Sequence, residues 1–292
     1  VAQGVFPAGP LSAAPGGLFS AAEVEKHGPS SERWASGPYG WDSIACPAEL
    51  VLADFCENVA RGVIASAPGG SNSSWPFGIV ANYECITIGQ KPEERRRIAL
   101  AQLEAGTQKA VERELWSGAI ALASGRLDVP HLTDGTAVDV TGGTAQTGVP
   151  AALAVAKLEQ ALADCGLGTS GVIHLTRQAA LLAASQHAVV REGDKLFTAL
   201  GTPVVAGTGY LPSATPKTPA SAPVPSPSAP GPAPDIQWGF ATGPVHVHLG
   251  TPEGLGEHLD IETNVLSVLA GRPAAVYWDS CCTAAVQIDT TP

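Results

Sequence analysis

Residues 92–122, PEERRRIALAQLEAGTQKAVERELWSGAIAL, carry the longest continuous helical signal in the chain and constrain what can lie on either side of it. Pro92 suits a first helical position, where its missing N–H costs nothing. Glu93 and Glu94 follow at the positive end of the helix. Leu100, Leu103, Thr107, Val111, Leu115, Gly118 and Leu122 recur close to a 3.6-residue period, which predicts one mostly apolar stripe. The other side carries Arg96, Arg97, Glu104, Lys109, Glu112 and Arg113. At 1.5 Å per residue the segment predicts a rod of roughly 45 Å. About a dozen residues is the usual helix length in a globular domain.

The segments around the rod differ in kind. Residues 1–40 are rich in Gly, Pro, Ser and Ala, with isolated aromatics at Phe6, Phe19, Trp34 and Tyr39. They read as an extended arm laid on its own body or on a neighbour's, with full disorder as the alternative. Residues 41–90 read as strands separated by turns, most simply a long β-hairpin with a loose middle. After the rod comes a polar, Gly- and Thr-rich loop over 124–150, the kind of long connection that usually serves function or interaction. A helix is predicted from about Pro150 to Asp164, a strand at GVIHLT, a helix from near Thr176, and strands at KLFTALG and TPVVAGTGY. That alternation predicts an α/β unit over 150–250. Nine prolines in the 24 positions 211–234 exclude sheet and ordinary helix there. IQWGFATGPVHVHLG then reads as strand, and NVLSVLAGRPAAVYWDSCCTAAVQID as closing strands.

Composition removes several function classes. The net charge is −11, and the only basic cluster, Arg95-Arg96-Arg97, follows two glutamates. A nonspecific nucleic-acid binder needs a basic face, so that run reads as a solvated helix face with Glu93 placed to pair with Arg97. Apolar residues make up 45% and charged residues 15%, which fits a surface partly covered by partners. No apolar run approaches a membrane span. No positively charged, apolar leader opens the arm, and Val1 is compatible with a removed methionine or with a processing cut. The six cysteines, Cys46, Cys56, Cys85, Cys165, Cys281 and Cys282, show no CxxC spacing and read as buried free thiols. A Cys46–Cys56 or Cys56–Cys85 bridge is the alternative.

Catalytic motifs are missing from the linear sequence. There is no G-x-S-x-G, no P-loop and no H-E-x-x-H, and Gly201, Gly207 and Gly209 do not form G-x-G-x-x-G. Asp128, Asp134 and Asp139 read as turn formers in their Gly-rich loop. His246 and His248 alternate on a strand and share one face, where two imidazoles can bind a metal. His258 with Glu257 is the candidate third contributor, and an ordinary polar strand face is the competing reading. No enzyme and no cofactor are implied.

The order of parts, together with RRIALAQLEAGTQKAVERELWSG, GVIHLTRQAALLAA, DKLFTALGTPVVAGTGY, WGFATGPVHV and AAVYWDSCCTAAVQID, resembles the major capsid proteins of tailed phages with the Hong Kong 97-type fold, actinobacteriophage members in particular. The resemblance spans the chain apart from 211–234. It implies an α+β fold with residues 1–40 as the N-arm and 41–90 as the E-loop hairpin. Residues 91–149 become the P-domain spine helix and its loop, 150–250 the A-domain, and 251–292 P-domain strands that return to the rod. It further implies a virion shell subunit assembled in the host cytoplasm into hexamers, pentamers or both, around dsDNA. A second capsid subunit, decoration, portal or scaffolding proteins are the implied further partners. Trp34, Trp41, Trp75, Arg96, Arg97, Glu112 and Arg113 are then the candidate inter-subunit contacts. The Lys–Asn crosslinks of some members are not expected, because residues 41–90 contain no lysine. An encapsulin-like compartment shell, another virion part such as a decoration or connector protein, and a soluble metal-dependent enzyme using His246 and His248 are the alternatives.

Overall fold

In chain order, a 3-10 turn (Leu18–Ser20), strand β1 (Glu23–Lys26) and a 3-10 helix (Pro29–Ser36) precede β2 (Tyr39–Asp42), β3 (Ser71–Ser74) and β4 (Phe77–Ile86). Helices α1 (Pro92–Ser117) and α2 (Ala119–Ala123) follow, then two short strands, β5 (Val138–Asp139) and β6 (Val149–Pro150). Next come α3 (Ala151–Asp164), β7 (Val172–Thr176), α4 (Arg177–Ser185), β8 (Val189–Glu192), β9 (Lys195–Thr198) and β10 (Pro203–Gly207). The chain closes with β11 (Ile236–Thr242), β12 (Val245–Leu249), β13 (Glu253–Asp260), β14 (Val265–Trp278) and β15 (Ala284–Asp289). This computed structural model describes residues 14–37, 39–42, 71–86, 91–126, 129–142, 148–212, 235–260, 262, 265–280 and 282–291. The middle of the predicted hairpin and most of the Pro-rich stretch lie outside the described residues.

The rod begins where Pro92 predicts and ends five residues before Leu122. Gly118 takes the left-handed conformation (φ 58°), its N–H donating to the Glu114 carbonyl, and so closes α1 at Ser117. A side chain there would also meet His131 Nδ1 at 2.8 Å. The Glu114 carboxylate turns forward and accepts from Ile120 N (2.6 Å) and Ala121 N (3.0 Å), capping the short α2. The 26 residues of α1 make a rod of about 39 Å.

One face of α1, with Ala99, Leu103, Thr107, Val111 and Leu115 buried at four-residue spacing, lies on a five-stranded sheet. Its order is β1-β12-β14-β13, with β4 also paired to β14. β4 alternates as a half-buried strand should: Phe77 and Ile79 face the core, Gly78 and Val80 face out. Full burial of side chains such as Leu103, Val111 and Leu115 contributes about 1.5–3 kcal/mol each.

The second sheet has eight strands in the order β5-β15-β11-β7-β10-β9-β8, with β6 also paired to β15. Helix α3 buries Ala154, Val155, Leu158 and Leu162 against one side, and Thr176 caps α4 by accepting from Ala179 N. The opposite side presents Val172, Val205, Trp238 and Phe240 to the core that holds α1. Because both faces are covered, β7 and β11 are buried at every position.

Three expectations change. IQWGFATGPVHVHLG is two strands in two different sheets, divided at Gly243-Pro244. Of the closing strands only β13 and β14 return to the rod's sheet; β15 runs beside β11 in the other, because AAVQID fills the groove between β11 and the short strands of the 124–150 loop. Cys165 and Cys282 are not free thiols: they form a disulfide with a Cα–Cα distance of 6.0 Å, within the ordinary range. It ties the end of α3 to the approach of β15 across 117 positions, a separation at which spacing carries no signal. The alternative bridges among Cys46, Cys56 and Cys85 fall outside the described side chains.

Candidate functional site

The C-terminal half of α1 buries a second stripe beside the first: Gln108, Glu112 and Trp116. Glu112 is expected from sequence on the outward, charged side, yet it is 0% exposed. Its two oxygens accept four hydrogen bonds. Leu18 N (2.9 Å) and Gln108 Nε2 (2.8 Å) reach Oε1; Thr208 Oγ1 (2.9 Å) and Gly209 N (2.8 Å) reach Oε2. A buried carboxylate is tolerable when its lone pairs are met in this way. One side chain thereby joins the arm, the rod and the loop after β10.

That arrangement also places the arm. Gly16 N donates to the Asp194 carbonyl (2.6 Å), Ala206 N donates to the Gly16 carbonyl (2.7 Å), and Leu18 is wholly buried. β1 then adds in parallel to β12. The described part of the arm is therefore laid on its own body.

Beside Glu112, Trp116 stacks on Tyr210 (centroids 4.4 Å) and meets Phe240 edge-on (4.9 Å), while its indole N–H donates to the Leu211 carbonyl (3.1 Å). The Tyr210 hydroxyl lies 2.7 Å from His174 Nδ1, and His174 Nε2 lies 3.0 Å from Thr242 Oγ1. Thr242 gives its own hydrogen to the Gly243 carbonyl (2.8 Å), so it accepts from Nε2–H, and Nδ1 accepts from the tyrosine. Burial pushes His174 down to about 3, so the ring is neutral at physiological pH. Burial, and then the Glu112 carboxylate, hold the Tyr210 phenol well above its ordinary range. These groups are enclosed and, apart from Gln108 Oε1, hydrogen-bonded to one another or to the backbone; the network joins α1 to the second sheet.

The other predicted residues do not converge. Trp34 packs its ring over His27 (5.2 Å) and His248 (5.7 Å) of its own chain. Trp41 lies on β2 opposite Asn72 of β3. Trp75 is half-buried under the Arg126 guanidinium, 4.3 Å from its ring centroid. Arg96, Arg97 and Arg113 are exposed on α1, whereas neighbouring Arg95 turns inward to Glu257 at 3.6 Å. His246 and His248 do share the face of β12 away from the rod, but His258 stands opposite Ser267 on β13, far along β14 from Tyr277, the partner of His246. The side chains that do approach the two histidines are Glu23, Glu25 and His27 of the arm. Asp134 accepts from Thr136 N and Asp139 from Thr141 N, the turn-forming role expected of them; Asp128 lies outside the described residues. Among the described residues no helix is long and apolar enough to cross a membrane.

The fold so defined, a spine helix on one sheet joined to a helix-covered second sheet, is shared with encapsulin and phage structures. No protein-family model matches the chain, and no curated protein matches its sequence. Among solved structures, the holo-SrpI encapsulin complex from Synechococcus elongatus PCC 7942 aligns with TM-score 0.53 at 10% identity, over 100% of this chain and 93% of that one. A structure from Mycobacterium phage Adephagia aligns with TM-score 0.53 at 14% identity, over 99% of this chain and 96% of that one. One from Mycobacterium phage Ogopogo aligns with TM-score 0.51 at 14% identity, over 99% and 97%. The likeness is one of fold, and it covers the whole chain. The α+β class expected from the sequence is the class observed.

Proposed function

We propose that this chain is the structural shell subunit of a tailed-phage icosahedral capsid, assembling with copies of itself into hexamers, pentamers or both around dsDNA. What carries the reading is the match, end to end, between this fold and structures from mycobacteriophages. In the proposed anatomy α1 is the spine of the P-domain, the second sheet with α3 and α4 is the A-domain, and β2 with β3 forms the base of the E-loop. Leu181 (72% exposed) and Leu200 (73%) leave large apolar side chains in water on the second unit. Surfaces of that kind suit burial against a copy, at about 1,600 Å² per standard contact. A net charge of −11 suits a container that must release its DNA.

Electron microscopy of the purified assembly tests the reading. Icosahedral shells holding nuclease-protected DNA are expected, and on a denaturing gel they should run as a single monomer band, given the absence of lysine from 41–90. A chain that stays monomeric at high concentration would sink the proposal. Shells filled with a protein cargo would instead favour the encapsulin-like compartment, which the equal fit to the SrpI complex keeps as the second reading.

Arg97 and Arg113 are exposed along the rod, and we assign them to contact with a neighbouring subunit. Reversing both, Arg97→Glu with Arg113→Glu, should cut the yield of shells severalfold while shifting the subunit's unfolding free energy by no more than about 0.5 kcal/mol per site. Normal shell yield in the double variant would leave that side merely solvated.

A further inference from the structure

The parallel register of β1 on β12 sets Glu23 beside His246 and Glu25 beside His248. Val245, Val247 and Leu249 fill the core, so the two histidines stand on the sheet face away from the rod. The chain leaving β1 brings His27 over the same spot, and the 3-10 helix folds back so that Trp34 covers both His27 and His248. Three potential donors converge there. His27 Nε2 lies 2.7 Å from His248 Nδ1, and Glu25 Oε2 lies 3.3 Å from His248 Nδ1 and 3.9 Å from His27 Nε2. Ligand atoms at 2.0–2.1 Å from a tetrahedral zinc are separated by about 3.3 Å. The three observed edges straddle that value, so drawing all three atoms onto one ion needs only sub-ångström shifts. The outer nitrogen of His248, Nε2, lies 3.2 Å from the Tyr277 hydroxyl. Holding that nitrogen by a hydrogen bond fixes the ring with Nδ1 turned to the cluster, as the outer partners of metal-bound histidines do.

We propose that Glu25, His27 and His248 form a binding site for a divalent cation of the zinc type, which pins the arm to the rod's sheet. Two imidazoles and one carboxylate select zinc over magnesium or calcium, and water completes the tetrahedron. The arm has use for such a pin. β1 is four residues long, sits at the sheet edge and keeps Glu23, Glu25 and Lys26 exposed, so little apolar burial holds it. A doubly charged ion would also offset the adjacent carboxylates of Glu23 and Glu25. The site stands independently of the shell reading.

Calorimetric titration of the full chain, stripped with a chelator and then supplied with zinc chloride, tests it. One ion per chain is expected. His248→Ala and His27→Ala should abolish that uptake, and Tyr277→Phe should weaken it about 10- to 100-fold, the usual cost of losing an outer partner. Glu25 is 62% exposed at its side chain, so Glu25→Gln spares the fold and should also weaken binding, while Glu23→Gln should not. Failure of the native chain to take up zinc overturns the site. So does stoichiometric uptake that survives in both His248→Ala and Glu25→Gln, since the ion would then be held elsewhere, for instance by cysteine.

Discussion

Glu112→Gln is expected to lower the unfolding free energy of the isolated chain by about 1–3 kcal/mol, read as a fall in the urea midpoint at unchanged slope. The side chain is isosteric, so volume plays no part. The carboxylate meets two donors on each oxygen. An amide keeps one oxygen and turns an NH2 group on the other pair. A backbone donor that cannot turn, Leu18 N or Gly209 N, then faces the NH2 group, while the Gln108 amide can flip or the Thr208 hydroxyl rotate to accept from it. A buried donor left without an acceptor costs about 1–3 kcal/mol, and one is stranded whichever way the amide turns. Glu104→Gln, at an exposed position of the same helix, is the control and should stay within about 0.5 kcal/mol. A Glu112→Gln variant as stable as that control would mean the arm and the loop after β10 are not held by this carboxylate.

Gly209→Ala should cost about as much, for a steric reason. A β-carbon there would lie 2.3 Å from the Lys109 carbonyl oxygen and 2.8 Å from Arg113 N, both backbone atoms of α1 that cannot swing aside. The loop would have to lift, losing its N–H bond to Glu112 and pulling Tyr210 off Trp116. Overpacking of this sort costs about 1–3 kcal/mol and the lost bond adds to it. Thermal unfolding gives the magnitude, and the near-ultraviolet dichroism of Trp116 reports whether the stack has opened. A native-like spectrum with an unchanged midpoint would show that the loop does not dock on the helix backbone.

What the sequence disclosed follows the range of the interactions involved. Pro92, Pro150 and Thr176 mark the starts of α1, α3 and α4 through local chemistry that the sequence displays. Gly118 gives no stop signal in the sequence because the apolar stripe runs on to Leu122, and only a tertiary contact with His131 shows why the chain turns there. Gly243-Pro244 offers the breaker signal that divides β11 from β12, but a breaker does not say that the next strand joins another sheet. Helical spacing places Glu112 outward, because a charged side chain there usually faces water. Its partners, Leu18 and Gly209, lie 94 and 97 residues away, and no periodicity carries that. Alternation alone places the histidine pair on one face of a strand, as observed, without saying which face. Sequence proximity offers His258 with Glu257 as the third contributor, whereas an arm residue 221 positions distant supplies the contact.

The two sheets exchange chain at neighbouring points. β11 passes into β12 through Gly243-Pro244, and β14 passes into β15 alongside, where Asp279 N donates to the Pro244 carbonyl at 3.1 Å. A single connecting strand would act as a swivel. Two laced side by side resist torsion as the paired leaves of a door hinge resist twist, and the Glu112 joint clamps a third point away from their axis. The molecule is thus built to transmit a push on one lobe to the other as a stiff lever.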